Sequence, residues 1–234
     1  MGQPSSRPIE IDIDTSRIGA GILALTGSGE YLKDMETVDR YLISHLSTPV
    51  KVVCLPTGAG TEGADRIAYW AELGESHFQA FGVEAQSLRV IDRSSAMDSD
   101  MATIISEANF VYLSGGKPWY LYSTLVDSPV WQAIVDVLQN GGVVAGCSAG
   151  AMIFGKGIPG KGMFGPRTSG FGFLPHSMIL PHYDEIPKAL RRTFRLIAGN
   201  LDVVGIEGYT GLICTRNGCQ VVGKGEVEVI RAGV

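Results

Sequence analysis

A cysteine and a serine stand side by side in a run of small residues near the middle of the chain. The run, GGVVAGCSAGAMIFG at 141–155, contains the pentapeptide G-x-S-x-G with Ser148 at its centre. In a nucleophile elbow the central residue sits in a sharp turn between a strand and a helix, and small neighbours let backbone segments approach closely. An apolar strand-like segment precedes this pentapeptide and a helix-like AGAMIF follows it. The pattern predicts nucleophilic catalysis at Ser148, whereas Cys147 lies at an x position and would point elsewhere.

Backbone amides that could stabilise an oxyanion come from two segments. The amide of Ala149 would open the helix after the serine, and the pair Gly115-Gly116 ends another apolar strand in FVYLSGGKPWYLYSTL. Ligands of open α/β sheets bind beyond the carboxyl ends of the strands, so both segments would meet at one edge. We expect Ala149 and Gly116 to be the two donors, and a plain strand-end turn is the alternative at Gly116.

A serine nucleophile needs a general base, and the chain has four histidines. His45 and His77 fall in helical patterns and are expected at the surface. His182, in MILPHYDE, follows an apolar strand and would reach the edge that carries Ser148, whereas His176 precedes that strand. His182 is therefore the predicted base, and His176 is the weaker candidate.

The elements that must position these residues alternate along the chain. Apolar strand-like segments are separated by helical ones, and the strands are predicted at 21–26, 50–56, 87–91, 109–116 and 142–146. The helix before the elbow has a clear start, with Ser128 at the N-cap and Pro129 at the first helical position. Short strands that are apolar on both faces are typical of parallel strands covered by helices. The pattern predicts a doubly wound, mostly parallel sheet with helices on both faces.

The last third of the chain has a different pattern. SMILPH reads as a strand, PKALRRTFRLIAG as a helix, and DVVGI, GLICTR-NG-CQVVGKG and EVEVIR as antiparallel hairpin strands. The Gly/Pro-rich stretch 155–175 reads as a loop, and long loops in compact domains are often functional. We expect residues 1–18 to be a flexible leader and residues 19–234 to form a single α/β hydrolytic domain.

The four cysteines show no metal-ligand spacing. A two-residue turn at Asn217-Gly218 would pair Arg216 with Cys219. Cys214 would then face Val221 rather than the other cysteine, so no disulfide is expected. Free thiols and the absence of a recognisable signal peptide indicate a reducing cytoplasm.

The net charge and the apolar runs of the sequence argue against some classes of binding partner. A net charge of −5 and a pI near 5.4 argue against nucleic acid or an anionic membrane surface as the main partner, and no apolar run is long enough to cross a membrane. We expect no metal and no cofactor. The expected partner is a small peptide-like substrate, and a homodimer is left open.

The segments together resemble the dipeptidase E and cyanophycinase family of serine peptidases, whose fold is like that of class I glutamine amidotransferases. VVCLPTGAG resembles the family's second strand, FVYLSGGKPWYL its Gly-Gly strand end, GGVVAGCSAGAMI its nucleophile segment and ILPHYDE its histidine segment. LRRTFRLI resembles its arginine-rich helix and DVVGIEGYTGLI its closing strand. Carried over position by position, the resemblance implies Ser148 as nucleophile, His182 as base, and Gly116 and Ala149 as amide donors.

The chain departs from the family at the triad acid, which often lies between the serine and the histidine. Residues 149–181 contain no Asp or Glu. Glu207, in GIEG, resembles the family's acidic strand end, although another alignment puts Gly208 there. Asp184 lies two residues beyond the histidine and would share its strand face, whereas Glu185 would face away if the strand persisted. We favour Glu207 over Asp184 as the third member, and it is also open whether any residue completes the triad.

Family members act on aspartyl dipeptides or aspartate–arginine polymers, which implies a cationic pocket for a substrate carboxylate. Arg167 in the Gly-rich loop and Arg192 on the following helix are the candidates, because a guanidinium binds carboxylates bidentately. The leading hypothesis is hydrolysis of a small peptide or isopeptide amide through an acyl-enzyme at Ser148. The alternatives are an inactive or weak member that binds a small ligand or partner, an amidotransferase-like enzyme that uses Cys147, and an α/β-hydrolase esterase.

Overall fold

The structure, a computed structural model, describes residues 6–160 and 167–233. Its strands are β1 (Ser6–Ile9), β2 (Ile22–Thr26), β3 (Lys51–Leu55), β4 (Glu84–Ser87), β5 (Phe110–Leu113), β6 (Val143–Cys147), β7 (Gly155–Ile158), β8 (Thr168–Ser169), β9 (Leu174–Leu180), β10 (Asp202–Ile206), β11 (Thr210–Thr215), β12 (Gly218–Gly223) and β13 (Val227–Ile230). Its α-helices are α1 (Thr15–Ile18), α2 (Glu36–Ile43), α3 (Ala64–Gln79), α4 (Arg93–Ala96), α5 (Ser99–Ser106), α6 (Pro118–Leu125), α7 (Pro129–Gln139), α8 (Ala149–Met152) and α9 (Lys188–Ala198). Short 3-10 helices form at Lys33–Met35, Thr57–Ala59 and Tyr183–Glu185.

A large mixed sheet forms the centre of the molecule. Its strand order is β1-β12-β11-β2-β6-β5-β3-β4, and the neighbours from β2 to β4 all pair in parallel. Alternate residues of β2 enter two different cores, Leu23 and Leu25 on one face and Ile22 and Ala24 on the other. Helices α5 and α7 contribute to the first core, and α2 and α3 to the second. This arrangement confirms the α/β class, the mostly parallel centre of the sheet and its cover of helices on both faces.

A second sheet carries the segment after the elbow. Its order is β13-β10-β9-β7-β8, with β9 and β10 parallel and β10 and β13 antiparallel. The expected antiparallel pairing is confirmed for β11 with β12 and for β10 with β13. The parallel pairing of β10 with β9 was not expected. The stretch 155–175, expected to be a loop, contains β7, β8 and the start of β9, and its residues 161–166 lie outside the described residues.

One strand of the large sheet differs from the prediction. The strand expected at 87–91 lies at Glu84–Ser87 instead. This strand is an edge strand with alternately exposed residues, so its polar sequence EAQS lacks the apolar signature of a central strand. The segment after Gly116, to which the sequence pattern assigned no element, forms α6 with a proline at its start. By contrast, Ser128 caps α7 as predicted, accepting a hydrogen bond from Trp131 N at 3.0 Å.

The N-terminal segment is ordered where the structure describes it. Strand β1 pairs antiparallel with β12, from Ser6 opposite Val222 to Ile9 opposite Cys219. Helix α1 follows, with Asp14 accepting from Ser16 N at 3.2 Å. Its Ile18 is fully buried. The expectation of a flexible leader over 1–18 was therefore wrong for residues 6–18, and residues 1–5 lie outside the described residues.

The hairpin between β11 and β12 corrects the cysteine prediction. Thr215 pairs with Gly218, so the turn residues are Arg216 and Asn217 rather than Asn217 and Gly218. Gly218, with φ +119°, supplies the positive-φ position directly after these two turn residues. Cys214 and Cys219 therefore face each other directly and form a disulfide. Cys54 and Cys147 are free and buried, so only two thiols remain of the four used to argue for a reducing compartment.

One helical histidine is not at the surface. The side chain of His77 is 8% exposed, and its Nε2 lies 2.8 Å from Oδ2 of the buried Asp39, so the expectation for His77 was wrong. Burial raises the pKa of Asp39, and the histidine opposes that rise. No helix within residues 6–160 and 167–233 has the length and apolar character needed to cross a membrane.

Candidate active site

The turn between β6 and α8 has the geometry of a nucleophile elbow. Ser148 adopts φ 53° and ψ −113°, a conformation that non-glycine residues rarely occupy. The flanking glycines are required by close backbone contacts: a Cβ on Gly146 would lie 2.3 Å from Gly150 O, and a Cβ on Gly150 would lie 2.3 Å from Leu113 O. The G-x-S-x-G spacing therefore follows from the packing of α8 against β5 and β6, and it holds Ser148 at the carboxyl end of the sheet.

His182 reaches the serine. Its Nε2 lies 3.0 Å from Ser148 Oγ, within hydrogen-bond distance. The histidine follows β9, and its backbone N–H donates to Gly27 O at 3.3 Å, which joins the second sheet to the end of β2. His176 lies within β9, where its Nε2 is 3.4 Å from Asp12 Oδ2 and its side chain is 70% exposed. The structure thus brings together the predicted pair Ser148 and His182.

The carboxylate that contacts the histidine is Glu185. Its Oε1 lies 3.3 Å from His182 Nδ1, on the ring edge opposite the serine. Strand β9 ends at Leu180, and His182 has φ +53°, so the chain turns into the 3-10 helix Tyr183–Glu185 instead of continuing as a strand. This turn places Glu185, three residues after His182, beside the imidazole ring. The expectation that Glu185 faces away was wrong because it assumed that the strand persists.

The two acids favoured from the sequence have other partners. Glu207 Oε2 accepts from Glu226 N at 2.9 Å, and it supports the loop between β12 and β13. Asp184 Oδ1 accepts from Gly208 N at 2.7 Å. The carboxylate in contact with His182 is therefore Glu185, and not Glu207 or Asp184 as the sequence favoured.

The predicted oxyanion donors flank the serine. A Cβ on Gly115 would lie 3.4 Å from Ser148 Cβ, so the Gly-Gly turn is packed against the nucleophile. Gly116 has φ +130°, and a Cβ there would lie 2.3 Å from Gly58 O, so only glycine fits. Within the part of the chain that the structure describes, the Gly116 N–H has no acceptor. Ala149 opens α8, where an N–H has no partner inside the helix.

The two arginines expected to bind substrate lie at helix α9, Arg192 within it and Arg167 at its C-terminal end. The Arg167 guanidinium donates to Ala198 O at the end of α9, so it caps that helix. Arg192 is exposed on α9 and lines a cavity of about 440 Å³ with three further cationic side chains, Lys188, Arg191 and Arg195. The structure shows no contact that joins either Arg167 or Arg192 to Ser148 among the described residues.

A buried carboxylate that the sequence analysis did not single out lies beneath the elbow. Glu30, in TGSGE after β2, is 9% exposed. Its Oε1 accepts from Gly115 N at 3.0 Å, and its Oε2 accepts from Cys147 Sγ at 3.1 Å. The available signal was its position: it follows a central strand of the same parallel sheet and so reaches the edge that carries Ser148.

Cys147, whose side chain was expected to point elsewhere than that of Ser148, is fully buried. Burial, and next the negative charge of Glu30, raise the pKa of the Cys147 thiol well above its usual value. Burial likewise raises the pKa of Cys54 to about 12. Since the thiolate is the nucleophilic form, neither thiol is suited to attack a substrate at neutral pH.

We therefore expect native protein at pH 8 to resist iodoacetamide. Mass spectrometry should find Cys54 and Cys147 unmodified after an hour, because both thiols are protonated and covered. The control is the same reaction in guanidinium chloride without reductant, where both should be alkylated and the Cys214–Cys219 pair should not. Rapid modification of Cys147 in the native protein would contradict its proposed inertness.

Comparisons with known proteins show which family the chain belongs to. The sequence pattern of Peptidase family S51 matches residues 23–222. A cyanophycinase of Trichormus variabilis is 28% identical over 166 residues, 65% of this chain and 55% of that protein, so the chain spans about half the length of this relative. The uncharacterized peptidase YgaJ of Bacillus subtilis is 27% identical over 172 residues, covering 70% of this chain and 68% of that protein.

Solved structures extend the similarity to the whole architecture. A peptidase from an acI-B1 Actinobacterium superposes with a TM-score of 0.81 at 31% identity, covering 93% of this chain and 96% of that one. A putative peptidase E protein from Listeria monocytogenes EGD-e shares the fold, with a TM-score of 0.56 at 18% identity over 91% of this chain and 99% of that one. The resemblance inferred from the motifs is confirmed, and the chain belongs to peptidase family S51.

Proposed function

We propose that the chain is a serine-type peptidase that hydrolyses a small peptide or isopeptide amide through an acyl-enzyme at Ser148. The observation that carries the proposal is the 3.0 Å contact between Ser148 Oγ and His182 Nε2 at the elbow. A nucleophile within hydrogen-bond reach of a base, which is itself oriented by a carboxylate, is the arrangement that activates a serine. Aspartyl dipeptides and cyanophycin-like aspartate–arginine polymers are the proposed substrate class, supported by relatives named cyanophycinase.

The arrangement supports a two-step acyl transfer. Ser148 Oγ attacks the amide carbonyl while His182 Nε2 takes its proton, and the histidine then gives that proton to the leaving amine. The N–H groups of Gly116 and Ala149 would hold the oxyanion of each tetrahedral intermediate. Water, deprotonated by the same histidine, releases the acyl group from the serine. Glu185 would keep the Nδ1 proton of His182 in place and stabilise the imidazolium.

The alternative functions have less support. The inactive-member hypothesis rested on the missing triad acid, and Glu185 now occupies the position next to His182 Nδ1. A mechanism through Cys147 would need a buried thiol with a raised pKa to act as nucleophile. Kinship with class I glutamine amidotransferases, which we also propose, therefore concerns the fold rather than the nucleophile.

Active-site labelling tests the proposal. A fluorophosphonate probe should modify native wild-type protein at Ser148, because only an activated serine reacts quickly with this reagent. Peptide mapping should place the adduct on 148, and denatured protein should stay unlabelled. In parallel, aspartyl-leucine and β-aspartyl-arginine should be hydrolysed faster than leucyl-leucine. Folded protein that neither reacts with the probe nor cleaves any of these peptides would refute the proposed function.

A further inference from the structure

Glu30 is a buried carboxyl group beside the elbow that the mechanism above does not use. It is 9% exposed, and its two oxygens contact two different segments. Oε1 accepts from Gly115 N at 3.0 Å, and Oε2 accepts from Cys147 Sγ at 3.1 Å. Each of these partners immediately precedes a residue of the site, Gly116 in one segment and Ser148 in the other. One side chain thus joins the loop that carries an oxyanion donor to the turn that carries the nucleophile.

The contacts around the Gly-Gly turn show what this carboxylate does to the backbone. The N–H of Gly115 is held by Glu30, and the N–H of Lys117 donates to Gly58 O at 2.9 Å. Between them, the Gly116 N–H has no acceptor among the described residues. Two anchored amides therefore flank the one that is left to bind a substrate oxygen.

The turn at Gly115 is packed tightly against both Glu30 and Ser148. A Cβ on Gly115 would lie 2.7 Å from Glu30 Oε1 and 3.4 Å from Ser148 Cβ, so the carboxylate, the turn and the nucleophile are in mutual contact. A carboxylate accepts hydrogen bonds only, which suits two donors, an N–H and an S–H. A buried carboxylate is costly unless it is hydrogen-bonded, so a substitute residue must also satisfy both donors.

We propose that Glu30 is a positioning residue, which fixes the turn at Gly115 and the elbow at Cys147 so that the Gly116 N–H and Ser148 Oγ face the same carbonyl group. The inference rests on the proposed function, because it assigns the Gly116 N–H to an oxyanion. It requires acceptor atoms at this place rather than a negative charge. A glutamine, whose carbonyl oxygen can still accept from Gly115 N, should therefore preserve the geometry, whereas an alanine should not.

The test compares Glu30→Ala and Glu30→Gln on the peptide that the wild type cleaves best, with Glu72→Ala, at an exposed position of α3, as the control. We expect Glu30→Ala to lower kcat about 10- to 50-fold with KM changed less than about threefold, as for a partial loss of an interaction made in the transition state. Glu30→Gln should stay within about fivefold of wild type, and Glu72→Ala should be unchanged. Fluorophosphonate labelling should slow in the same order, since the adduct also places an oxygen at the donors.

Structural readouts separate positioning from general destabilisation. Hydrogen exchange of the peptide spanning 110–118 should accelerate in Glu30→Ala and not in Glu30→Gln, at a temperature where circular dichroism shows both variants folded. Wild-type kcat in Glu30→Ala would overturn the inference. Equal losses in Glu30→Ala and Glu30→Gln would also overturn it, because they would make the charge itself necessary. An unlabelled, inactive wild type would instead refute the proposed function, so the two failures are distinguishable.

Discussion

Replacing Ser148 by alanine should lower kcat/KM for the preferred peptide by about 10⁵-fold or more, the scale seen when a triad nucleophile is removed. The expected loss is this large because, within residues 6–160 and 167–233, Ser148 is the hydroxyl that contacts the base His182. Cys147, its neighbour, is fully buried and its thiol has a raised pKa. Steady-state kinetics on matched enzyme concentrations would measure the loss, and fluorophosphonate labelling should disappear with it.

The substitution should leave the fold intact, which makes the kinetic result interpretable. Ser148 Oγ contacts His182, and the close backbone approaches of the elbow involve the glycines rather than the serine side chain. Alanine can occupy the same backbone conformation at a similar cost, so the midpoint of thermal unfolding should change by only a few degrees. Ser123→Ala, on the exposed face of α6, is the matched control and should retain full activity. Hydrolysis that survives in Ser148→Ala would show that a different group is the nucleophile.

The fold was predictable where burial dictates the residue types. β2, β3, β5 and β6 are buried on both faces, so their sequences are continuously apolar and easily recognised. β4 was misplaced because an edge strand needs no such sequence. The β10 sequence DVVGI has the same apolar character as the strands of the large sheet. No feature of this segment alone indicates that it pairs with β9 in the second sheet. Partner choice depends on distant segments, which periodicity does not report.

The site residues that closely follow an apolar strand could be predicted from the sequence. Ser148 and His182 each follow an apolar strand, and parallel strands end at a common edge, so their meeting could be inferred. The acid could not, because its position depends on a single left-handed residue, His182 with φ +53°. Glu30 was missed although it follows a central strand, because its partners, a backbone N–H and a thiol, form no catalytic motif in the sequence.

Replacing Glu185 by glutamine should lower kcat by about 10²- to 10³-fold. The carboxylate lies 3.3 Å from His182 Nδ1, where it can hold the Nε2 lone pair toward Ser148 and stabilise the imidazolium. Loss of a fully buried triad acid costs about 10⁴-fold. Here the side chains of His182 and Glu185 are 40% and 65% exposed, so solvent screening should reduce the effect. The measurement is kcat and KM of the variant at the pH of maximal wild-type activity.

Two matched variants test whether Glu185 is the acid that supports His182. Glu207→Gln and Asp184→Asn remove the carboxylates favoured from the sequence, yet their partners are Glu226 N and Gly208 N rather than the histidine. Each should keep kcat within about fivefold of wild type, with any loss appearing mainly as reduced thermal stability, since each removes an acceptor of a backbone hydrogen bond. If Glu207→Gln loses more activity than Glu185→Gln while both remain folded, the exposed contact at Glu185 is not the one used in turnover. Such a result would require the loop that follows β10 to bring Glu207 against His182 when substrate binds.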